Sequence, residues 1–443
     1  MKRTLTERRL LVLIGAVQFV NVLDFMMVMP LGPDFAQALG IPNSRLGLVG
    51  AIYTAAAAAS GMVGALVLDR FDRRKALAVA LGGLVLGTAA GAFATGLGSM
   101  LAARLVAGAF GGPATSLALA IVSDVVPPER RGRALGSVMG AFAVASVLGV
   151  PAGLELARAG GWRAPFFAVA GLGAVLAAGV IGILPPLRGH LEARSTPATS
   201  GAGALLRRPA VALSLAGMAV LMTAQFALVP NIAAYWQFNL GYPRERLGLL
   251  FVVGGLVSFA VMRVAGRLAD ALGAAVTAAG GTALFVAVLF AAFIFPVQPP
   301  PALALFVGFM AASAFRMVPV QALATRVPGP EERARFMSLQ SVVQHLAAAA
   351  GALTSASLLR ELPGGRLERM DVIAWGSAAL AAVVPALMWL VESRVRRRER
   401  GGPARRAVQL VELERPPAMP VRSKALLPVK RISSESRGLR WDD

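Results

Sequence analysis

Residues 10–29 read LLVLIGAVQFVNVLDFMMVM, a run of twenty residues in which Asp24 is the only charged side chain. A helix of this length crosses the ~30 Å hydrocarbon layer of a membrane. The run is too long for the apolar core of a signal peptide, although Arg8 and Arg9 precede it. We therefore predict that it forms an uncleaved membrane-spanning helix.

Similar apolar runs recur along the whole chain of 443 residues. Hydrophobic residues make up 56% of the sequence and charged residues only 15%, which is too little charge for the surface of a soluble protein of this size. The predicted fold class is therefore an all-α membrane protein. We predict twelve spans, at residues 10–29, 46–68, 76–95, 101–122, 134–154, 164–184, 211–235, 247–262, 274–295, 302–325, 336–359 and 372–391.

The chain has a net charge of +21, and the positions of its basic residues explain this excess. Of the 44 Lys and Arg residues, 34 lie on the side of the termini, eight lie in the opposite loops, and Arg104 and Arg316 lie inside spans. Cytoplasmic loops of membrane proteins are enriched in basic residues. The pattern predicts a multi-pass protein of a bacterial-type inner membrane with both termini cytoplasmic, and it argues against nucleic acid as a partner.

The longest internal break divides the predicted spans six and six. We predict an N-terminal six-helix bundle at residues 1–186, a cytoplasmic linker at 187–209 and a C-terminal six-helix bundle at 210–393. Residues 394–443 combine Arg-rich runs with scattered Pro, Ser and Glu, a composition typical of disordered segments. They are predicted to form a basic, disordered cytoplasmic tail.

Two short motifs occur once in each half of the sequence. The motif ALVLDRFDRR (65–74) follows predicted span two and GRLADALG (266–273) follows predicted span eight, so that Asp69 and Asp270 are 201 residues apart. The motifs PERRGR (128–133) and PEERAR (330–335) precede spans five and eleven at an offset of 202. A repeat with a nearly constant offset indicates two related halves. The predicted architecture is thus two pseudo-symmetric six-helix bundles.

These motifs resemble the signature loops of the major facilitator superfamily, and the resemblance covers nearly all of residues 1–392. The loop after span two matches the family pattern at Asp69, Arg70 and Arg73, and it has Ala65 and Asp72 where the family usually has glycine. The resemblance implies a twelve-helix secondary transporter that works by alternating access.

The resemblance also implies a cytoplasmic gate. Asp69 would contact the N-terminus of span eleven, where the helix dipole favours an anion, and Asp270 would contact the start of span five. Arg70, Arg73 and Gly266 would belong to the same gate. For the arginines, the alternative is that they only supply the positive charge typical of cytoplasmic loops.

Span five contains Gly149, Pro151 and Gly153, and the sequence GWR (161–163) follows. This pattern resembles the drug/proton antiporter branch of the superfamily, often called arabinose-efflux-like permeases. The resemblance implies a hinge in helix five and transport out of the cell. The same residues are also compatible with ordinary packing, because proline kinks a helix and glycine lets helices approach closely.

Asp24 and Arg104 are predicted to lie at a similar depth, in spans one and four. An ionised carboxylate in the hydrocarbon layer needs a partner or a water-filled cavity, so the two residues can pair. We interpret them as a proton-coupling site, in which Asp24 binds the proton and Arg104 tunes its affinity. The motif RLVAG (104–108) is also similar to the family's Arg-x-x-Gln-Gly element. A purely structural ion pair is the alternative.

Arg316 lies inside predicted span ten, and no predicted span of the second half contains an interior Asp or Glu. It is predicted either to meet an anionic group of a substrate or to be solvated by the cavity and by backbone carbonyls. Because a guanidinium binds anions and disfavours cations, the predicted substrate is neutral or anionic. Other polar residues are predicted to line the same cavity or to hydrogen-bond between helices: Gln225, Asn231, Gln340, Gln344 and His345.

These features predict a proton-coupled efflux antiporter of a small molecule, which is driven by the proton gradient and needs no cofactor or metal. Its predicted partners are the substrate, protons and the lipid bilayer, and we expect a monomer. A proton symporter for uptake and a transporter-like receptor without net transport are the alternatives. An enzyme is not expected, because the chain has two histidines, no cysteine and no HExxH zinc motif. An ATP-driven pump is not expected, because no Lys follows a Gly as a phosphate-binding loop requires.

Overall fold

The computed structural model of the protein describes residues 7–187, 205–296, 301–329 and 332–400, and nearly all of them are helical. The short helix Gly32–Leu39 and a two-stranded antiparallel pair, Arg360–Glu361 with Leu367–Glu368, lie in loops. The spans are formed by Glu7–Met27 (one), Leu46–Val67 (two), Arg73–Ala92 (three), Leu97–Val125 (four), Pro128–Met139 with Ala141–Val144 and Val150–Gly160 (five), Arg163–Ile183 (six), Pro209–Phe226 with Ile232–Ala234 (seven), Leu247–Leu272 (eight), Ala274–Leu289 (nine), Ala302–Ala324 (ten), Arg333–Leu358 (eleven) and Met370–Arg400 (twelve).

Within the described residues, eleven helical stretches are long and apolar enough to cross a membrane. Span eleven, Arg333–Leu358, is the exception, because Gln340, Gln344 and His345 lower its hydropathy. It packs against spans two and seven, and its bounds agree with the predicted residues 336–359. The predicted all-helical membrane fold is confirmed. We call the side of the fold on which span one begins, at Glu7, the basic side, and we call the opposite side the far side.

Span five is interrupted by a π-helical segment, Ala145–Gly149. Pro151 lies two residues after this segment. A proline has no N–H to donate, and its ring crowds the carbonyl four residues earlier, here that of Val147 within the π segment. The wider π turn accommodates this crowding, and such turns are frequent at functional sites. The irregularity therefore lies where the sequence predicts a hinge; its role as a hinge stays a prediction.

Spans seven and eight differ from their predicted limits. Span seven is not one helix over residues 211–235, because Pro230 ends the regular helix at Phe226, and a π segment, Tyr235–Asn239, follows. Span eight runs on to Leu272, well beyond residue 262. The helix passes through Arg263, whose guanidinium lies 4.4 Å from the ring centre of Phe259.

The repeat extends to the far side of the fold. The sequences PNSRLGL (42–48) and PRERLGL (243–249) are 201 residues apart, and each forms a 3₁₀ turn that leads into a span. In the first copy, a Cβ on Gly47 would overlap the carbonyl oxygen of Ala352 in span eleven. In the second, a Cβ on Gly248 would lie 3.6 Å from Glu155 of span five. Equivalent glycines thus bring each half close to the other.

The buried apolar residues form three clusters. The cluster on the far side contains side chains of both halves, among them Leu31 and Trp236. The other two lie toward the basic side and each belongs to one half, with Leu81 in the first and Phe336 in the second. The two halves therefore share one core at the far side, whereas each half has a separate core toward the basic side.

The two halves cap span three and span nine in different ways. Asp72 precedes span three and accepts hydrogen bonds from the backbone N–H groups of Arg74 (2.9 Å) and Leu187 (3.2 Å). The equivalent residue before span nine is Gly273, which has no side chain to offer. There, Glu392 of span twelve accepts from the N–H of Ala275 at 2.9 Å. Asp72, which stands where the family pattern has glycine, thus caps span three with its side chain.

Residues through Val395 form one compact unit, and a second unit begins at Arg396. Span twelve continues as a helix to Arg400, past residue 394, where the predicted tail begins. Arginine is a good helix former, and basic residues near a helix C-terminus interact favourably with its dipole. The remaining tail, 401–443, and most of the predicted linker lie outside the described residues.

Candidate functional site

Asp24 and Arg104 form an ion pair in the interior of the first half. Arg104 Nη1 lies 3.0 Å from Asp24 Oδ1, and Nη2 lies 3.4 Å from the Asp24 carbonyl oxygen. Their side chains are 0% and 1% exposed, so the pair is withdrawn from both lipid and water. The pairing inferred from their similar depth in the sequence is found in the structure; a role in proton coupling stays a prediction.

Two further side chains complete this site. The hydroxyl of Thr88 in span three lies 2.7 Å from Asp24 Oδ1 and 2.8 Å from the carbonyl oxygen of Leu84. The guanidinium of Arg104 lies 4.5 Å from the ring centre of Tyr53 in span two, a cation–π contact. The site is therefore built from spans one, two, three and four.

A second polar layer connects the site to the middle of span four. The Tyr53 hydroxyl donates to Asn21 Oδ1 at 3.4 Å, and Asn21 Nδ2 donates to the carbonyl oxygen of Gly111 at 2.9 Å and to Thr115 Oγ1 at 2.5 Å. A Cβ on Gly111 would crowd the Tyr53 hydroxyl at 2.5 Å. Sequence reasoning did not identify Tyr53, Thr88 or Asn21, although each is a polar residue in an apolar span and so carried a detectable signal.

The ion pair leaves two buried polar atoms without a hydrogen-bond partner among the described residues. They are Asp24 Oδ2 and Arg104 Nε. Buried polar groups are normally satisfied, so an open position on a buried carboxylate is unusual. Asp24 thus has one oxygen engaged by Arg104 and Thr88 and one oxygen open to a proton.

A second pair joins the two halves at the far side. Arg244 donates from Nε to Asp34 Oδ1 at 2.7 Å and from Nη2 to Asp34 Oδ2, a bidentate arrangement. Asn43 Nδ2 lies 3.3 Å from Glu361 and 3.4 Å from the carbonyl oxygen of Gly365. Asn43 and Arg244 are equivalent positions of the repeat, 201 residues apart. The far-side repeat, PNSRLGL and PRERLGL, is the sequence signal that marks both positions.

On the basic side, the structure places the predicted gate residues as follows. Arg73 pairs with Asp124 of span four, a residue of its own half that the sequence prediction did not include. Arg70 and Asp270 are exposed, and the space beside Gly266 is open. The side chain of Asp69 lies outside the described part of the chain. The gate contacts implied by the family resemblance stay a prediction.

The glycines of span five are packing positions. A Cβ on Gly149 would lie 2.7 Å from Leu23, the neighbour of Asp24, and one on Gly153 would lie 3.9 Å from Met27. Across the halves, a Cβ on Gly255 of span eight would lie 3.0 Å from Val147. The π segment is therefore in contact with both the Asp24 helix and the second half.

Arg316 is fully buried, at 0% exposure, inside the second half. Its guanidinium lies 3.8 Å from the ring centre of Phe285 in span nine, and its three side-chain nitrogens have no hydrogen-bond partner among the described residues. It does not reach an open cavity in this conformation. The predicted contact with a substrate therefore requires spans nine and ten to rearrange.

The side chains of the other predicted cavity residues form hydrogen bonds, most of them to residues of a neighbouring helix. Gln225 in span seven bonds Ser313 in span ten at 2.9 Å. This favours the second interpretation made from the sequence, in which such residues connect helices. The remaining contacts are Asn231 with Ser355, Gln340 with Gln321 at 2.6 Å, Gln344 with Met218 Sδ at 3.3 Å, and His345 with the Ser341 carbonyl of its own helix at 2.8 Å.

Comparison with known proteins agrees with this fold. A family model described as Major Facilitator Superfamily matches residues 14–352 and 264–432. A solved structure of a D-xylose-proton symporter has the same fold, with a TM-score of 0.67 at 17% identity over 86% of this chain and 96% of that chain.

Two relatives of known function are exporters or resistance proteins by name. A chloramphenicol resistance protein of Streptomyces lividans is 31% identical over 376 residues, which cover 83% of this chain and 92% of the relative. A purine ribonucleoside efflux pump of Escherichia coli O157:H7 is 26% identical over 238 residues, which cover 54% of this chain and 59% of the relative. Since both a family model and a relative match most of its length, the chain belongs to the major facilitator superfamily of membrane transporters.

Proposed function

We propose that this transporter is a proton-coupled antiporter that exports a small molecule by alternating access. The observation that carries the proposal is the buried Asp24–Arg104 pair, with Asp24 Oδ2 open among the described residues. An ionisable group at this depth is costly, and in transporters such groups form proton relays. The names of the two relatives, a resistance protein and an efflux pump, favour export.

The geometry around Asp24 suits a carboxylate that changes its protonation state. While Asp24 is ionised, Arg104 and Thr88 both donate to Oδ1. Once the open Oδ2 takes a proton, Oδ1 becomes the carbonyl oxygen of a neutral carboxyl group, and the Thr88 hydroxyl can still donate to it or turn to the Leu84 carbonyl at 2.8 Å. The attraction between Asp24 and Arg104 is then lost. Proton uptake thereby weakens the link between spans one and four.

We infer that the basic side faces the cytoplasm and that the structure is inward-facing. The distribution of Lys and Arg supports the first statement. For the second, the shared core and the Asp34–Arg244 pair hold the halves together at the far side, and the cores toward the basic side are separate. In the alternating cycle, the far-side contacts break when the substrate leaves the cell.

We propose that the substrate is uncharged or anionic. A buried guanidinium at Arg316, with no acidic partner among the described residues, makes the second half unfavourable for a cation. Chloramphenicol and purine ribonucleosides, which the names of the relatives mention, are uncharged organic molecules. They are the first compounds to test.

Everted membrane vesicles with an internal pH-sensitive dye test the proposal. Respiration acidifies the vesicle interior, and an antiporter then releases protons when chloramphenicol or a purine ribonucleoside is added outside. We expect the dye signal to recover upon addition, and to recover less with Asp24→Asn. A symporter for uptake would give no such recovery from outside addition. A receptor would bind the compound without proton release or accumulation.

A further inference from the structure

An elongated groove runs along span one on the side away from Asp24. It has a volume of about 840 Å³ and lies between Glu7–Met27 and the first two segments of span five, Pro128–Met139 and Ala141–Val144. Asp24 follows Gly15, the central residue of the groove, by nine residues. At 100° per residue this is two and a half turns, so the two side chains point to opposite sides of the helix. The groove is therefore separate from the proton site.

The groove is basic at one end and apolar along its length. Arg8, Glu7 and Arg130 lie at the basic side. Glu7 is paired with Arg130 at 3.3 Å, so Arg8 supplies the net positive charge of the described residues that line the groove. The walls deeper in include Val12 and Val144, which are 66% and 47% exposed although they lie at membrane depth. An exposed apolar wall at this depth needs an apolar occupant.

The length of the groove matches one leaflet of a bilayer. From Arg8 to Phe19, which closes the inner end, eleven residues of helix rise ~16 Å at 1.5 Å each. Half of the ~30 Å hydrocarbon layer is ~15 Å. A single acyl chain would therefore extend from a headgroup at Arg8 to the middle of the membrane.

We propose that this groove binds an anionic phospholipid of the inner leaflet, with its phosphate at Arg8 and one acyl chain along Val12, Gly15 and Val144. Anionic lipids are attracted to basic residues at the membrane surface, on the side where we place the cytoplasm. The chain ends at Phe19, whose ring would lie 3.4 Å from a Cβ on Gly149. The lipid thus fills the space between span one and span five directly below the π segment.

Photocrosslinking tests this binding without reference to transport. The full-length protein is reconstituted in phosphatidylcholine vesicles with a trace of phosphatidylglycerol that carries a photoreactive group on its acyl chain. Phosphatidylcholine with the same reactive chain serves as the comparison. We expect phosphatidylglycerol to label peptides around Val12 and Val144 about fivefold more than phosphatidylcholine does, given ~1 kcal/mol of attraction per basic residue. Equal labelling by the two lipids would overturn the proposal.

Two pairs of variants distinguish lipid that is bound in the groove from lipid that is attracted to the protein surface in general. Arg8→Gln should reduce the labelling about fivefold, whereas Arg9→Gln removes the same charge from an exposed neighbour outside the groove and should leave it unchanged. Gly15→Leu should abolish the labelling, because open space surrounds Gly15 and the leucine fills the groove. Gly171→Leu, at an equally open glycine of span six, is its control.

The other possible results of these labelling experiments also support or overturn the proposal. If Gly15→Leu fails to fold, the comparison of Arg8→Gln with Arg9→Gln still tests the headgroup contact. Unchanged labelling in Arg8→Gln, or in a folded Gly15→Leu, would overturn the proposal. Displacement of the lipid by an exported compound would assign the groove to the substrate instead.

Discussion

The hydroxyl of Thr88 lies 2.7 Å from Asp24 Oδ1, so a side chain of span three holds the carboxylate of span one. The same hydroxyl is 2.8 Å from the Leu84 carbonyl, and its single proton can serve only one of these acceptors at a time. This position lets Thr88 donate to Oδ1 when Asp24 is ionised, and also when the proton is on Oδ2 and Oδ1 is a carbonyl oxygen. We therefore expect Thr88 to position Asp24 in both protonation states.

Replacement of Thr88 tests this positioning role. Thr88→Val keeps the shape and removes the hydroxyl, and hydrogen bonds to charged groups contribute ~1.5–3 kcal/mol. Uphill transport in everted vesicles should fall roughly tenfold to a hundredfold, while substrate-for-substrate exchange continues. Thr88→Ser restores a hydroxyl and should restore most of the uphill flux. Equal losses in both variants, or an equal loss of exchange, would instead indicate a packing role.

Asp24→Asn removes the ionisable group and keeps its size. Uphill transport should be lost, because no proton can be bound and released, while exchange or facilitated diffusion continues. Asp371→Asn, at an exposed carboxylate at the start of span twelve, is the matched control and should transport normally. Accumulation against a gradient by Asp24→Asn would exclude Asp24 from coupling.

The Asp34–Arg244 pair should hold the far side closed. Its side chains are 21% and 22% exposed, and a pair of this kind contributes about 1 kcal/mol. Arg244→Gln should therefore raise the population with an open far side about fivefold. Arg246→Gln, at an exposed arginine of the same 3₁₀ turn, is the control.

Spin labels can measure this population, since the chain has no cysteine to interfere. Labels at Gln37→Cys and Arg360→Cys report the distance between the halves on the far side. Asp34→Asn should have the same effect as Arg244→Gln, and the double variant should add little to either. Fully additive effects would show that the two residues do not act through each other.

Gly108 sets the approach of spans two and four. A Cβ there would overlap the Tyr53 carbonyl, a backbone atom that cannot turn away. Gly108→Ala should therefore lower the stability of the purified protein by about 1–3 kcal/mol, the usual cost of overpacking. Gly98→Ala, in open space on the same helix, should change it little. Thermal unfolding in detergent measures both variants, and equal stability would contradict the close approach.

The sequence alone predicts features that depend on a single apolar segment, or on motifs that recur after a constant number of residues. Apolar run length predicts the spans, and the repeat around Asp69 and Asp270 predicts two related halves. The Asp24–Arg104 pair could be inferred from depth alone, because both residues are rare charges in apolar helices. Partners such as Thr88 could not be chosen from the sequence, since the rotation of span three about its axis depends on packing.

Other features depend on geometry that no local pattern encodes. The direction of the Arg316 side chain is one example, because rotation of span ten decides whether it faces the cavity or span nine. The pairing of Arg73 with Asp124 within one half is another. Arg73 stands at the start of span three and Asp124 near the end of span four, and only the packing of these two helices brings them together.

Arg316 has 0% exposure, and its side-chain nitrogens have no hydrogen-bond partner among the described residues, with Phe285 as its ring contact. A buried charge without a hydrogen-bonded partner is costly, and replacing buried ionic groups with apolar ones of similar size is often neutral or stabilising. Arg316→Met should therefore fold and have equal or higher thermal stability. Arg316→Lys keeps the charge but loses the planar stacking on Phe285, and it should be less stable than Arg316→Met.

Transport by the same variants separates a substrate contact from a structural role. Suppose that spans nine and ten open Arg316 to an anionic substrate during the cycle. Arg316→Met should then lower the apparent affinity for that substrate by more than about tenfold, because a bidentate contact to a charged group contributes ~1.5–3 kcal/mol. Arg316→Lys keeps the charge, so its loss of affinity should be smaller. Uptake of an uncharged compound into everted vesicles should change little and serves as the control. Unfolding of Arg316→Met would show that the arginine is structural. Efficient export of lipophilic cations by the unmodified protein would refute the anion preference, because a buried guanidinium repels such a cargo.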